Sequence, residues 1–287
     1  MSSLAARRRK NRLMVSAMVF AVAVAVVPLV LILADIIAKG VGQLSWSFLT
    51  KPAPFVVTAS GGGYGAGIRG TIKMVGLGTV VSVPIGVLAA VYLAEYQPRG
   101  LLATTVRFFA DVMTGIPSIF VGIFVFTVVV LETHSFSSWA GGLALGILML
   151  PVVVRTSEEA LRLVPHTLRE ASLALGVRRW RTIVSVILPT ALPAITTGAL
   201  LAVARAAGET APLLLTAFGN QLLVPWTSWT GPEASLTLQI FTDSRSPFPA
   251  QQARAWTGAL VLIIGVLIIS MAARAVISRR SRVGRSA

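Results

Sequence analysis

The sequence contains no cysteine and few charged residues. The absence of cysteine excludes disulfide bonds, thiolate metal sites and cysteine nucleophiles. Only 12% of the 287 residues are charged, whereas ordinary soluble domains carry about 25%. Because 55% of the residues are hydrophobic, the chain could not cover a water-exposed surface with polar groups. We therefore expect an integral membrane protein whose main solvent is lipid.

Motifs of nucleotide-hydrolysing and zinc-dependent enzymes are also absent. No GxxxxGK[ST] or HExxH motif occurs, so the chain cannot be a P-loop ATPase. The glycine-rich residues 61–67 lack a following Lys-Ser/Thr, which favours a flexible turn over a phosphate-binding loop. His134 and His166 lie in predicted loops, where an ordinary polar role is favoured over a metal site. The sequence predicts no catalytic residue, no metal and no cofactor on this chain.

The charges that are present are mostly positive. Lysine and arginine outnumber aspartate and glutamate 25 to 10, which gives a formal net charge of +15. Such a charge could indicate nucleic-acid binding, but the basic residues are dispersed between apolar runs. They concentrate in residues 7–12, at Arg99 and Arg107, in residues 155–181 and in residues 274–285. Alternate basic loops follow the positive-inside pattern of membrane proteins, so we expect no nucleic-acid partner.

Six apolar runs are candidates for spans of a bilayer, each of which needs roughly 20 residues. They are residues 13–34, 74–94, 112–131, 139–154, 182–204 and 255–273. The first could instead be a cleaved signal peptide, but its apolar run is longer than usual, which favours an uncleaved anchor. An even number of spans with basic termini places both termini in the cytoplasm. The predicted fold is an all-α integral membrane protein with about six transmembrane helices.

These runs divide the chain into four parts. A basic cytoplasmic tail, residues 1–12, precedes a first span with an outer loop, residues 13–60. The main transmembrane domain covers residues 61–277 and includes a cytoplasmic loop at residues 155–189. A second basic tail, residues 278–287, completes the chain.

The cytoplasmic loop is the richest in local pattern. Pro165 is typical of the first turn of a helix, and Gly176 is typical of the residue after its end. The apolar residues at helical spacing are Val164, Leu168, Ala171 and Leu175, flanked by Arg162, Arg169 and Glu170. This pattern predicts a short amphipathic helix. It could lie on the lipid surface or insert into a groove of a partner protein, and the pattern alone does not decide between them.

Two charges follow the fifth apolar run directly. Arg205 and Glu209 are four residues apart, which would place both on one face of a helix. A charge at the bilayer centre costs roughly 2.5–3.5 kcal/mol on insertion scales, so such residues usually face a partner or a water-filled path. The alternative is a self-neutralising pair near the outer surface. We favour a place on a translocation path and keep the alternative open.

The cytoplasmic loop also resembles a known family. Residues 170–176, EASLALG, are followed by nine residues and by VILP at residues 186–189. This is similar to the EAA loop of ABC importer permeases, with Ser172 and Val186 as conservative departures. In that family the loop forms a coupling helix that sits in a cleft of the cytoplasmic ATPase. The coupling residues that the resemblance implies are Glu170, Ala171, Leu175, Gly176 and Pro189, with Gly176 allowing a sharp exit from the helix.

Three further segments resemble permeases of the phosphate importer family. They are ARAAGETAPLL at residues 204–214, DVMTGIPSIFVGIF at residues 111–124 and MVGLGTVVSVPIGVLAAVYLAEY at residues 74–96. With the loop, the likeness covers roughly residues 61–275 and is closest to the A-type permease subunits of bacterial phosphate ABC importers. The resemblance implies a type I, MetI-like permease fold, with Arg205 and Glu209 beside the anion path.

The resemblance also implies partners. They would be a homologous permease subunit, an ABC ATPase dimer that binds ATP and magnesium, an extracytoplasmic phosphate-binding protein and the bilayer of the bacterial inner membrane. Three other functions stay open. One is a permease for molybdate, sulfate or phosphonate. The others are a secondary transporter driven by an ion gradient and a membrane scaffold without a transport role.

Overall fold

The computed structural model describes residues 4–56, 59, 61–98 and 100–283. The ends of the two predicted tails, the boundary at residue 60 and Arg99 of the second basic group lie outside these residues. Within them the chain is helical apart from turns and two isolated β-bridges. The helices are α1 (Leu4–Gly40), α2 (Trp46–Thr50), α3 (Gly65–Val91), α4 (Leu101–Gly115), α5 (Ser118–Val125), α6 (Leu131–Thr133), α7 (Ser138–Arg162), α8 (His166–Ala174), α9 (Arg179–Thr182), α10 (Leu188–Ala207), α11 (Ala211–Thr216), α12 (Leu236–Ser244) and α13 (Pro249–Val283).

Short irregular turns connect some of these helices. A π-helical turn at Tyr92–Tyr96 extends α3, a second at Phe126–Val130 joins α5 to α6, and a third at Ile183–Ile187 joins α9 to α10. A 3₁₀ turn at Val41–Gln43 follows α1. As a result, several of the named helices form longer continuous rods.

Five helical segments are long and apolar enough to cross a membrane. They are Ala6–Gln43, Gly65–Tyr96, Ser138–Arg162, Arg179–Ala207 and Pro249–Met271. A sixth is added if α4 and the α5–α6 segment are taken together as one bent span. The prediction of an all-α membrane fold with about six spans is confirmed.

The third predicted span, residues 112–131, is not one continuous helix. α4 ends at Gly115, and α5 starts at Ser118 with a bend of 105° between the two segments. Ile116 takes an extended conformation, with φ −73° and ψ 130°, because a following proline disfavours the helical region. Pro117 also has no amide hydrogen to donate to the preceding turn. The chain therefore turns sharply within the apolar run.

The centre of the fold is α3 packed along α7, with α10 packed against both. A Cβ atom added to Gly78 would lie 3.0 Å from the Gly146 nitrogen, and one added to Gly86 would lie 2.7 Å from Cγ1 of Val153. Small residues let membrane helices approach this closely. The core between them includes Met74, Leu145, Met149, Val153 and Ala202, each at most 1% exposed.

The first helix lies at the edge of the fold. None of the most apolar part of α1 is buried, and α1 packs mainly against α13. Near its end, the hydroxyl of Thr257 donates to the Gly40 carbonyl at 2.8 Å. An apolar helix surface without protein neighbours is suited to lipid.

A buried polar cluster fastens α12 beneath the start of α3. The Tyr64 hydroxyl donates to Oδ2 of Asp243 at 2.7 Å, and Nε of Arg254 lies 3.7 Å from the same oxygen. Burial raises the pKa of the Asp243 carboxyl, and it also raises the pKa of the Tyr64 phenol. The glycine-rich residues before Tyr64 form a turn, with φ +92° at Gly61 and +70° at Gly62. Hence this stretch leads into the second span, as predicted.

Candidate functional site

Helix α8 forms where the sequence predicts a short amphipathic helix. It covers His166–Ala174, directly after Pro165. Gly176 has φ +76°, a left-handed conformation that glycine adopts without a steric penalty. Its amide donates to the Leu173 carbonyl at 2.9 Å, and the Val177 amide donates to the Ser172 carbonyl at 3.2 Å. These bonds end α8 with the sharp exit that the sequence predicts.

One face of α8 is apolar and exposed. Leu168 is 39% exposed and Leu175 83%, whereas Leu173, 50% exposed, lies on another side of the helix. Ala171 and Glu170 are also exposed, and Glu170 forms no side-chain hydrogen bond or ion pair with the described residues. Val164, the remaining member of the predicted apolar stripe, is instead buried in the core. The structure thus offers a docking face made of α8 and its exit.

A neighbouring face of α8 is tied to the protein. Ser172 is buried, and its hydroxyl lies 2.9 Å from that of Thr182. Of the five predicted coupling residues, Glu170, Ala171, Leu175 and Gly176 lie together on α8 and its exit. Pro189 lies apart from them, in the first turn of α10.

We expected Arg169 to flank the exposed face of α8, but its side chain points into the protein. Its Nη2 donates to Oε1 of Glu95 at 2.6 Å, and its Nε lies 3.2 Å from both carboxylate oxygens. The same guanidinium donates to the carbonyls of Val164 and Leu161. A buried carboxylate requires such pairing. Sequence analysis missed this role, although a glutamate at the end of the second apolar run was a signal.

A second buried carboxylate, Glu158 of α7, binds arginines from two of the basic groups of the sequence. Arg107 and Arg162 each donate to its Oε1 at 2.7 Å. Nη1 of Arg155 lies 3.5 Å from its Oε2, and Arg155 also pairs with Asp111. Glu158 is only 2% exposed. Some of the basic residues that follow the positive-inside pattern therefore form ion pairs that join α4 to α7.

Arg205 and Glu209 come together at the other end of the fold. Nε of Arg205 lies 3.7 Å from Oε1 of Glu209, although α10 ends at Ala207 and Glu209 lies beyond it. The Arg205 side chain is 53% exposed and that of Glu209 is 17% exposed. The Thr237 hydroxyl donates to the Glu209 carbonyl at 2.8 Å, which anchors this turn to α12. The pair predicted from the spacing is present.

The guanidinium of Arg205 keeps free donors. Glu209 is its only ion-pair partner among the described residues, and the contact uses Nε. The outer nitrogens are therefore available for a ligand with two oxygens side by side. The segment Arg179–Ala207 has 29 residues, so at about 1.5 Å per residue Arg205 lies roughly 40 Å from α9 and the α8 exit.

A third buried pair secures the loop next to Glu209. Lys73 of α3 pairs with Glu233, and both side chains are at most 3% exposed. The Ser138 hydroxyl donates to Glu233 as well, and the Lys73 ammonium lies 5.3 Å from the centre of the Trp229 ring. Sequence analysis missed this pair, because nothing local links residues 160 positions apart.

Comparison with protein families and curated proteins gives consistent matches. The family described as "Binding-protein-dependent transport system inner membrane component" matches residues 82–282. The chain is 41% identical over 275 residues to a phosphate transport system permease protein PstA of Yersinia pestis, covering 96% of this chain and 92% of that protein. It is 42% identical over 284 residues to PstA 1 of Mycobacterium tuberculosis strain H37Rv, covering 96% and 91%.

Solved structures give a match at the level of the fold. An inward-facing form of the MetNI methionine ABC transporter aligns with a TM-score of 0.59. The alignment covers 75% of this chain and 95% of that chain at 21% sequence identity. A second crystal form of the same transporter aligns with a TM-score of 0.56. At this identity the likeness establishes the helical architecture.

Proposed function

The chain belongs to the family of binding-protein-dependent transport system inner membrane components, and we propose that it is the transmembrane permease subunit of an ATP-driven importer of inorganic phosphate. The observation that carries this proposal is the half-exposed Arg205, whose closest approach to Glu209 is 3.7 Å, from Nε. Phosphate transport permeases about 40% identical over 96% of the chain support the choice of substrate.

Arginine suits a phosphate oxyanion. Its planar fork donates paired, charge-assisted hydrogen bonds to two oxygens of one anion. The 3.7 Å separation from Glu209 is longer than a strong hydrogen bond, so this contact restrains the guanidinium without occupying its fork. In the proposed cycle, Glu209 holds Arg205 between transport events and releases it when phosphate arrives. Arg205 and Glu209 therefore form the substrate path on this subunit.

The exposed face of α8 supplies the coupling to ATP. In the proposed assembly, Leu168, Ala171 and Leu175 dock in a cleft of one subunit of an ABC ATPase dimer, which binds ATP and magnesium. A homologous permease subunit forms the other half of the pore, and an extracytoplasmic binding protein delivers phosphate. Both termini lie in the cytoplasm, and this chain catalyses no covalent reaction. ATP binding and hydrolysis move α8 and switch the pore from outward-open to inward-open.

Uptake of radiolabelled phosphate at limiting concentration tests the substrate and the site. Cells that lack this gene and other phosphate importers are complemented with wild type, Arg205→Ala, Arg205→Lys or Glu209→Gln. We expect wild type to restore uptake, Arg205→Ala to abolish it and the other two variants to reduce it. Normal transport by both Arg205→Lys and Glu209→Gln would refute the exchange between Glu209 and the anion.

A control variant at the same end of the fold isolates the role of the fork. Arg245 is exposed and contacts only the Phe241 ring among the described residues, so Arg245→Ala removes one positive charge there without removing a site residue. It should transport phosphate as wild type does. Unlabelled phosphate should compete fully, whereas molybdate, sulfate and phosphonate should not. If one of those three anions competed better than phosphate, that anion would be the substrate instead.

A further inference from the structure

The carboxylate of Glu95 joins the coupling helix to the membrane spans. It lies in the π-helical turn Tyr92–Tyr96, which extends α3, and is 6% exposed. Arg169 of α8 grips both its oxygens, at distances from 2.6 to 3.2 Å. Arg179 of α9 donates to the Glu95 backbone carbonyl and lies over the Tyr96 ring. The turn that contains Glu95 is thus bound by α8 through Arg169 and by α9 through Arg179.

The joint connects three elements. Besides Glu95, the Arg169 guanidinium donates at 2.8 Å to the carbonyl of Leu161, in the last turn of α7, and to the carbonyl of Val164. All three guanidinium nitrogens therefore have a partner, and the side chain is 16% exposed. Such a fully bonded arginine has no alternative position of similar energy, because leaving its partners would strand a buried carboxylate. We expect α8, α3 and α7 to move together at this point.

No other ion pair links α8 to the spans among the described residues. The remaining side-chain bond is the neutral one between Ser172 and Thr182. Neutral hydrogen bonds are roughly half as strong as charge-assisted ones. A force applied to the exposed face of α8 is therefore transmitted to α3 mainly through Arg169 and Glu95, whereas α7 is also joined to α8 by the backbone of residues 163–165.

We propose that Glu95 and Arg169 are positioning residues that convert movement of α8 into movement of α3 and α7, and so keep ATP hydrolysis coupled to transport. This inference rests on the proposed function, in which α8 docks on an ATPase. Neither residue belongs to the proposed substrate path, Arg205 and Glu209. Loss of their contact should leave ATPase docking and hydrolysis in place while transport falls.

The experiment uses the complete transporter in liposomes, with both permease subunits, the ATPase and the binding protein. Phosphate uptake and ATP hydrolysis are measured on the same vesicles for wild type and Glu95→Gln. Glutamine keeps the size of the side chain and the backbone carbonyl that Arg179 contacts. We expect phosphate moved per ATP to fall by about fivefold or more, the lower end of typical coupling between two sites. An unchanged ratio would overturn the proposal.

Two further variants separate coupling from folding. Glu95→Asp keeps the negative charge and should retain more of the ratio than Glu95→Gln. Arg169→Lys keeps the positive charge but loses the fork, so it should uncouple even where the complex assembles normally. Asp35→Asn breaks the exposed Asp35–Lys39 pair of α1 as a matched control and should behave as wild type. Equal loss of uptake and hydrolysis in all Glu95 and Arg169 variants would show a merely structural role.

A readout that needs no phosphate distinguishes this proposal from the choice of substrate. The chain has no cysteine, so Leu88→Cys, at an exposed position near the end of α3, takes a single fluorescent label. Addition of ATP should change the label's emission in an otherwise wild-type complex and not in Glu95→Gln. If that difference appears while no phosphate moves, the substrate assignment fails and the coupling role stands. The same response in both complexes would refute the coupling role.

Discussion

Replacement of Gly70 by alanine should loosen the end of the fold that holds Arg205. Gly70 lies in α3 against the loop before α12. An added Cβ would overlap the Ala234 carbonyl oxygen and lie 3.0 Å from Cγ of Glu233. A backbone carbonyl cannot rotate away as a flexible side chain can, so the loop must separate from α3. This would disturb the Lys73–Glu233 pair and the bond from Thr237 to the Glu209 carbonyl.

Gly76 of the same helix provides the matched control for this effect. A Cβ added there has nothing within 4 Å. Each substitution replaces a helical glycine by alanine, and this replacement by itself stabilises a helix by about 0.5–1 kcal/mol. The gain is the same in both variants and cancels when they are compared. Overpacking costs about 1–3 kcal/mol. Gly70→Ala should therefore be about 1–3 kcal/mol less stable than Gly76→Ala, and it should transport less phosphate.

Thermal unfolding of the two purified variants in the same detergent measures this difference. Gly76→Ala should unfold at or above the wild-type temperature, and Gly70→Ala below it. Phosphate uptake in cells should follow the same order at matched expression. Equal unfolding temperatures for the two variants would refute the reasoning from close approach.

Three more substitutions probe α8 and the buried Lys73–Glu233 pair. Leu175→Asp should reduce co-purification of the ATPase without changing the unfolding temperature, because Leu175 is 83% exposed; a matching drop in both would contradict a docking role. Gly176→Ala should cost about 1–2 kcal/mol in backbone strain and should weaken ATPase binding. Nothing lies within 4 Å of the added Cβ, so steric overlap does not add to this cost. Unchanged binding would show that the left-handed exit is dispensable. Glu233→Gln leaves Lys73 buried without its counter-charge and should lower stability by about 3–5 kcal/mol, whereas the exposed Glu132→Gln should leave the unfolding temperature unchanged; equal effects would contradict a tightly buried pair.

Local chemistry in the sequence predicted the spans and α8. Hydropathy alone located five of the six runs, because a bilayer imposes one length and one polarity on every crossing helix. Pro165 and Gly176 bounded α8, because each residue restricts its own backbone. These signals act within a few residues and can be recognised without knowing the rest of the chain.

The broken third run could not be predicted in the same way. Pro117 breaks the helix, whereas Pro84 and Pro151 lie inside α3 and α7. Membrane helices tolerate proline where neighbouring groups satisfy the freed backbone. Those neighbours belong to other helices, so the outcome depends on tertiary packing that hydropathy does not record.

The charged joints were also beyond prediction. Glu95 and Arg169 are 74 residues apart, and Lys73 and Glu233 are 160 apart. Each residue taken alone is typical of a solvated charge at the end of a helix. Only the packing of α3 against α7, and of α8 beneath them, shows which charges are buried and therefore need partners.

The exposure of α1 has a consequence for biosynthesis. α1 is synthesised long before its main protein neighbour, α13. Until α13 has been synthesised, the first helix must remain in the bilayer without its main protein neighbour. Its mean hydropathy of 3.0 is the highest of the five spans, which suits a segment that must be stable in lipid alone. The bond from the Thr257 hydroxyl to the Gly40 carbonyl then joins α1 to α13.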